Sequence, residues 1–128
     1  MQKKIINTTK SPAAIGAYSQ AVKLGELVFT SGQIPLIAET MEIVAGGISE
    51  QTKQVMENLM AVLAEANANA SNVIKTTCYI KNMNEFTAFN TVYSQYFPEN
   101  FPARTCVEVA CLPKDVLVEI EAIAISKA

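Results

Sequence analysis

Val116-Leu117-Val118-Glu119-Ile120-Glu121-Ala122-Ile123-Ala124 is the stretch whose reading decides the fold. Side chains two apart on a strand share a face, so Val116, Val118, Ile120, Ala122 and Ala124 form one unbroken apolar side. Leu117, Glu119 and Glu121 look the other way. An apolar face this complete marks a core strand, and two carboxylates on its back are either plain solvent surface or one wall of a site. Just upstream, Pro102-Ala103-Arg104-Thr105-Cys106-Val107-Glu108-Val109 alternates as well. There Arg104, Cys106 and Glu108 share one side, while Thr105, Val107 and Val109 share the other.

The rest of the chain bounds what these strands can belong to. With 128 residues, half of them hydrophobic, residues 1–128 are expected to form one domain that buries about two thirds of its unfolded surface. The net charge is −2 with no basic run, which argues against binding a nucleic-acid backbone. No apolar run is long enough to span a bilayer, and Met1-Gln2-Lys3-Lys4-Ile5 lacks the apolar core of a signal peptide. A cytoplasmic location is therefore expected, with Cys78, Cys106 and Cys111 as free thiols. The chain has no histidine. That removes Ser-His-Asp and Cys-His nucleophiles, most zinc sites and every imidazole acid–base mechanism.

Taken in order, residues 5–9 suggest a short edge strand, 15–22 a loop running into a strand, and 27–31 a strand stopped by Gly32. Residues 37–47 show no period and read as a loop. Ser49 resembles an N-cap, followed by Val55, Leu59, Val62, Leu63 and Ala66 at helical spacing, with Asn67 or Asn69 as the stop. Residues 73–80 form a clear strand. Asn82 or Asn84 can cap a second helix bearing Phe86, Phe89, Tyr93 and Tyr96 on one side.

This order implies a mixed α/β (α+β) sheet with two helices packed on one face. Strands near 28–32, 73–80 and 103–110 should run parallel. Proximity would pair the last two strands as a hairpin. Length and apolarity instead favour a central place for 116–125 and an edge place for the Arg104 strand, and this is the arrangement expected. The uncovered face would then present Arg104, Cys106, Leu117, Glu119, Ile123 and Ile125. That mixture is too apolar for water and calls for a covering subunit.

Arg104 offers a forked donor pair that matches a carboxylate, against the plainer alternative of an ion pair with Glu108, Glu119 or Glu121. Glu119 is a general-base candidate on the same terms as any strand carboxylate. Without histidine to activate it, Cys106 is a small hydrophobe whose backbone groups, on an edge strand, are freer to bind. Tyr18 and Thr30-Ser31-Gly32-Gln33 read alone as an aromatic and a strand end.

Together these segments resemble the reactive intermediate (imine) deaminase family, RidA or YjgF, also described as L-PSP-like. The match runs through Ala13-Ala14-Ile15-Gly16-Ala17-Tyr18, Thr30-Ser31-Gly32-Gln33-Ile34-Pro35, Val73-Ile74-Lys75-Thr76-Thr77, and the Phe101–Ala110 and Leu112–Ala124 segments. The resemblance implies a chorismate-mutase-like homotrimer with sites between subunits. It implies hydrolysis of 2-imino and enamino acids, such as 2-aminoacrylate and 2-iminobutyrate, to 2-oxo acids and ammonia. No metal or organic cofactor is implied. Arg104 would clamp the substrate carboxylate, Cys106 backbone groups would meet the imine nitrogen, and Glu119 would orient water and shuttle a proton, kept ionised by Arg104. Tyr18, Ser31, Gly32 and Asn90 would line the pocket. Ala17 and Cys111 depart from a common Pro and Arg, and residues 39–41 lack a usual Gly. Two other readings remain: a non-catalytic trimer that binds 2-oxo acids, and an endoribonuclease or translation inhibitor, which the charge and the lack of histidine disfavour.

Overall fold

Residues 1–127 are described by the computed structural model. The strands are β1 (Lys4–Ile6), β2 (Ala21–Leu24), β3 (Leu27–Thr30), β4 (Val73–Ile80), β5 (Ala103–Glu108) and β6 (Val118–Ile125), with helices α1 (Ile48–Glu65) and α2 (Phe86–Ser94). They form one sheet in the order β1-β2-β3-β6-β4-β5. β6 is antiparallel to both β3 and β4, and β5 is parallel to β4. Hence β3, β4 and β5 share one direction with β6 threaded among them, and the Arg104 strand lies at an edge, as its polarity suggested.

The apolar face of β6 is the middle of the core: Val118, Ile120 and Ala124 are fully buried and Ala122 nearly so. Against it packs α1, whose Val55, Leu59, Val62 and Leu63 are inaccessible to solvent. Phe89 and Tyr93 bring α2 to the same side. Phe89 has no exposed surface and stacks with Tyr93 at 5.6 Å between centroids. Phe89→Ala is expected to cost about 3–5 kcal/mol, measured by urea unfolding, because the surrounding helix and sheet can collapse only partly into the gap.

Several local boundaries differ from the sequence pattern. The α1 cap is Gly47, not Ser49: its N–H donates to Glu50 Oε1 at 2.8 Å, so the carboxylate reaches back over the first turn. Asn67 does end the helix, in the left-handed conformation (φ 59°). Asn82 caps a 3-10 turn that leads into α2, accepting the Asn84 N–H at 2.9 Å. β1 is confined to Lys4–Ile6, and β2 begins only at Ala21 because the preceding segment is pinned by side chains rather than by a ladder. Buried Gln20 supplies those pins, donating to Pro12 O at 2.8 Å and Thr8 O at 3.0 Å and accepting the Thr8 N–H at 2.7 Å.

The largest correction concerns faces. Arg104 pairs with buried Thr76 and Cys106 with buried Cys78, and directly opposed strand residues share a side. Arg104 and Cys106 therefore point to the helix side of the sheet. Leu117 also packs against the core. The uncovered side keeps Glu119, Glu121, Ile123 and Ile125, joined by Thr77 and Tyr79, which oppose Glu121 and Glu119.

Candidate functional site

The candidate residues collect into two open half-sites on opposite faces of the sheet. The first lies where the 8–20 segment meets the end of β3. Ser31 N–H bonds Gln20 O at 2.9 Å, and Gln33 exchanges backbone hydrogen bonds with Ile120 at 2.8 and 3.2 Å. That bridge lays Gly32 against Glu119. A Cβ at Gly32 would stand 2.7 Å from the Glu119 carboxyl carbon, so only glycine admits the carboxylate here. Tyr18, Ser31, Gly32 and Glu119 all line the resulting cavity of about 680 Å³, with Tyr18 exposed at the rim. The Ser31 hydroxyl donates to Ser19 O at 2.6 Å, leaving its lone pairs for a ligand or water.

Burial pushes the Glu119 carboxyl above its ordinary value, and the neighbouring Glu121 adds to the shift. The expectation that Arg104 keeps Glu119 ionised is thus not met within one chain, since Arg104 sits beyond the sheet. Burial and then the two glutamates likewise raise the Tyr79 phenol.

The second half-site is at the β5 edge. Phe86, Asn90 and Tyr93 follow helical spacing, so α2 presents all three to Arg104. Arg104 Nη1 donates to Asn90 Oδ1 at 2.7 Å, and its guanidinium carbon lies 5.3 and 5.0 Å from the Phe86 and Tyr93 ring centroids. These partners are neutral, so they aim the guanidinium without cancelling its charge, in place of the carboxylate pair considered above. Tyr93 is itself fixed by a 2.7 Å hydrogen bond with Thr76, and burial lifts its phenol to about 12. Asn90, Tyr93, Pro102 and Arg104 border a second cavity of about 370 Å³.

Cys106 stands beside it as a thiol. Burial raises its pKa and Arg104 offsets this only in part, which leaves little nucleophilic thiolate. Its backbone is better placed. Val109 N–H donates inward to Ile80 O at 3.0 Å. Because backbone polar groups alternate sides along a strand, Val107 and Thr105 also bond inward, and the N–H and C=O of Arg104 and Cys106 face the free edge.

Sequence reasoning missed the aromatic pair around Arg104, although the Phe86-to-Tyr93 spacing carried it. It also missed Met41 and Lys114, which line the larger cavity from turns whose left-handed conformations leave no periodic trace. Among the described residues no group of three or more His, Cys, Asp or Glu could hold a metal ion, and no helix is long and apolar enough to cross a membrane.

Known proteins resemble this chain in sequence and fold over nearly its whole length. The sequence model of the family described as Endoribonuclease L-PSP matches residues 8–126. A RutC family protein of Pyrococcus abyssi is 56% identical over 124 residues, covering 97% of this chain and 98% of that protein. Escherichia coli TdcF, provisionally named a reactive intermediate deaminase, is 47% identical over 129 residues, with 98% and 99% covered. The solved structure of E. coli TdcF with bound serine gives a TM-score of 0.92 at 45% identity, covering 97% of this chain and 99% of that one. Similarity of sequence and of fold, each spanning almost the whole chain, establishes that the protein belongs to the L-PSP (YjgF, Rid) family.

Proposed function

We propose that the protein hydrolyses 2-imino acids such as 2-aminoacrylate tautomers and 2-iminobutyrate to 2-oxo acids and ammonia, in sites completed between copies of a homotrimer. The observation that carries this is the separation of Arg104 and Glu119. Each borders an open half-cavity, and they lie on opposite faces of the sheet. A substrate of a few atoms cannot touch both in one chain. Joining the Arg104 edge of one copy to the Glu119 cavity of the next would form one closed site with a cationic and a carboxylate wall. It would also cover the apolar residues on the open face.

In that site Arg104 holds the substrate carboxylate through two parallel hydrogen bonds. The outward backbone groups of Cys106 meet the imine nitrogen, while Tyr18, Ser31, Gly32 and Asn90 bound the pocket. Water gives a proton to Glu119 as its oxygen bonds to C2. With the imine entering protonated, this gives the neutral carbinolamine. Glu119 returns the proton to the carbinolamine nitrogen, and the C–N bond breaks to release ammonia as the hydroxyl proton passes to the Glu119 carboxylate. The oxo acid leaves with that proton lost to solvent. A carboxyl with a raised pKa suits both halves of this shuttle better than a fully acidic one would. The serine seen in the TdcF structure supports a small amino-acid-like ligand.

The test couples the protein to a dehydratase that releases 2-iminobutyrate in the presence of semicarbazide. Faster oxo-acid formation with less semicarbazone is expected. No acceleration, with 2-oxo acid binding retained, would replace catalysis by the binding function. Cys106→Ser is expected to stay close to the parent rate, since only its backbone is used.

A further inference from the structure

Ile15, Ile34, Leu36 and Met41 give the larger cavity an apolar lining, in the same cavity as the Glu119 carboxylate. Met41 is there at a conformational cost. It has φ 62°, a region that a residue with a long side chain rarely adopts. The turn that imposes this conformation is held by its backbone. Met41 N–H donates to Ile37 O at 2.7 Å, Ile37 N–H to Glu42 O at 2.9 Å, and Leu36 bridges to Ile43. None of these bonds needs the methionine side chain, and glycine would make the same turn without strain. A strained residue whose side chain serves the cavity and not the turn points to a role in the cavity.

We infer that Met41 is the specificity-determining residue of this site, forming part of its apolar lining and setting how large an apolar substrate side chain fits. This rests on the imine-hydrolase reading of the same cavity. With the reacting carbon held at Glu119, the substrate side chain extends towards Ile34, Leu36 and Met41. A thioether on a flexible stem adapts to small aliphatic groups and obstructs larger ones. Its removal enlarges the apolar part of the cavity without altering Glu119, Gly32 or Arg104.

The experiment compares the unsubstituted protein with Met41→Gly and Met41→Leu on two imines made by an amino-acid oxidase from alanine and from leucine, with semicarbazide as the competing trap. Met41→Gly is expected to raise the kcat/KM ratio of the six-carbon imine over the three-carbon one by about tenfold, mainly through KM, as for a contact made equally in ground and transition states. Met41→Leu, which refills the space, should stay within about twofold of the parent ratio. A ratio unchanged in Met41→Gly, with both imines still hydrolysed, overturns the inference and leaves the hydrolase standing. If the unsubstituted protein hydrolyses neither imine, the same three proteins are titrated calorimetrically with pyruvate and 4-methyl-2-oxopentanoate. A shift of about tenfold in the ratio of Kd values sustains the role of Met41 in a binding site. An unchanged ratio, or no binding at all, overturns it.

Discussion

Arg104→Ala is expected to lower kcat/KM for imine hydrolysis by about three orders of magnitude, roughly 4 kcal/mol of lost transition-state stabilisation. Among the described residues that line its half-site the guanidinium is the one cation, aimed by Asn90 and flanked by Phe86 and Tyr93. Arg104→Lys should recover little, because an ammonium neither matches a carboxylate with two parallel donors nor lies flat between the rings. The sharper form of the prediction uses two dead proteins. When Arg104→Ala and Glu119→Gln chains are unfolded, mixed equally and refolded, about a quarter of the intersubunit sites should receive an intact Arg104 from one chain and an intact Glu119 from its neighbour. Activity should return to about that fraction of the parent. A mixture as inactive as its components, while native mass spectrometry shows mixed trimers, would place both groups in one chain's site and contradict the opposed-face arrangement.

Glu119→Gln alone is expected to lower kcat by about 10²- to 10⁴-fold with little change in 2-oxo acid binding, since the amide fills the same space and cannot carry a proton. The pH dependence follows from burial and from Glu121, which raise this carboxyl above the ordinary 4.5. As a base it must be ionised, so the acid limb of kcat should lie above that value and vanish in the variant. Stability should move the other way. A carboxyl whose folded pKa is raised favours the fold fully below its unfolded value, and that contribution is lost as pH rises through the raised value. Glutamine stays neutral. Glu119→Gln should therefore melt higher than the parent at pH 7, with the gap closing as the parent carboxyl becomes protonated. An equal drop in Tm across the whole range would show that the side chain is structural.

The central position of β6 was legible because a fully apolar face of that length has no use at an edge. β4 was legible to the residue. Asn67 ended α1 as its chemistry implied. The side on which Arg104 lies was not legible. Alternation sorts the residues of β5 into two sets but does not say which set faces the helices. Thr105, Val107 and Val109 look more suited to a core than Arg104, Cys106 and Glu108. The choice is made by registry with Thr76 and Cys78, and by the aromatic cradle that α2 builds over the edge. The Glu119 cavity was half legible. Tyr18, Ser31 and Gly32 were found through the resemblance, whereas Met41 and Lys114 arrive from turns with positive φ.

The placement of β6 also governs when the molecule can come into being. β3 finds its ladder partner around Ala124 and β4 finds its own along 118–124, while β3 and β4 share no ladder. Without β6, the β1–β3 meander and the β4–β5 pair of the finished sheet have no ladder that joins them. Val28, Ile80 and the inner side of α1 wait without a lid over them. Long-range pairings of this kind close slowly and late. The strand that carries Glu119 is thus also the keystone, and the carboxylate enters its cavity in the same step that completes the sheet.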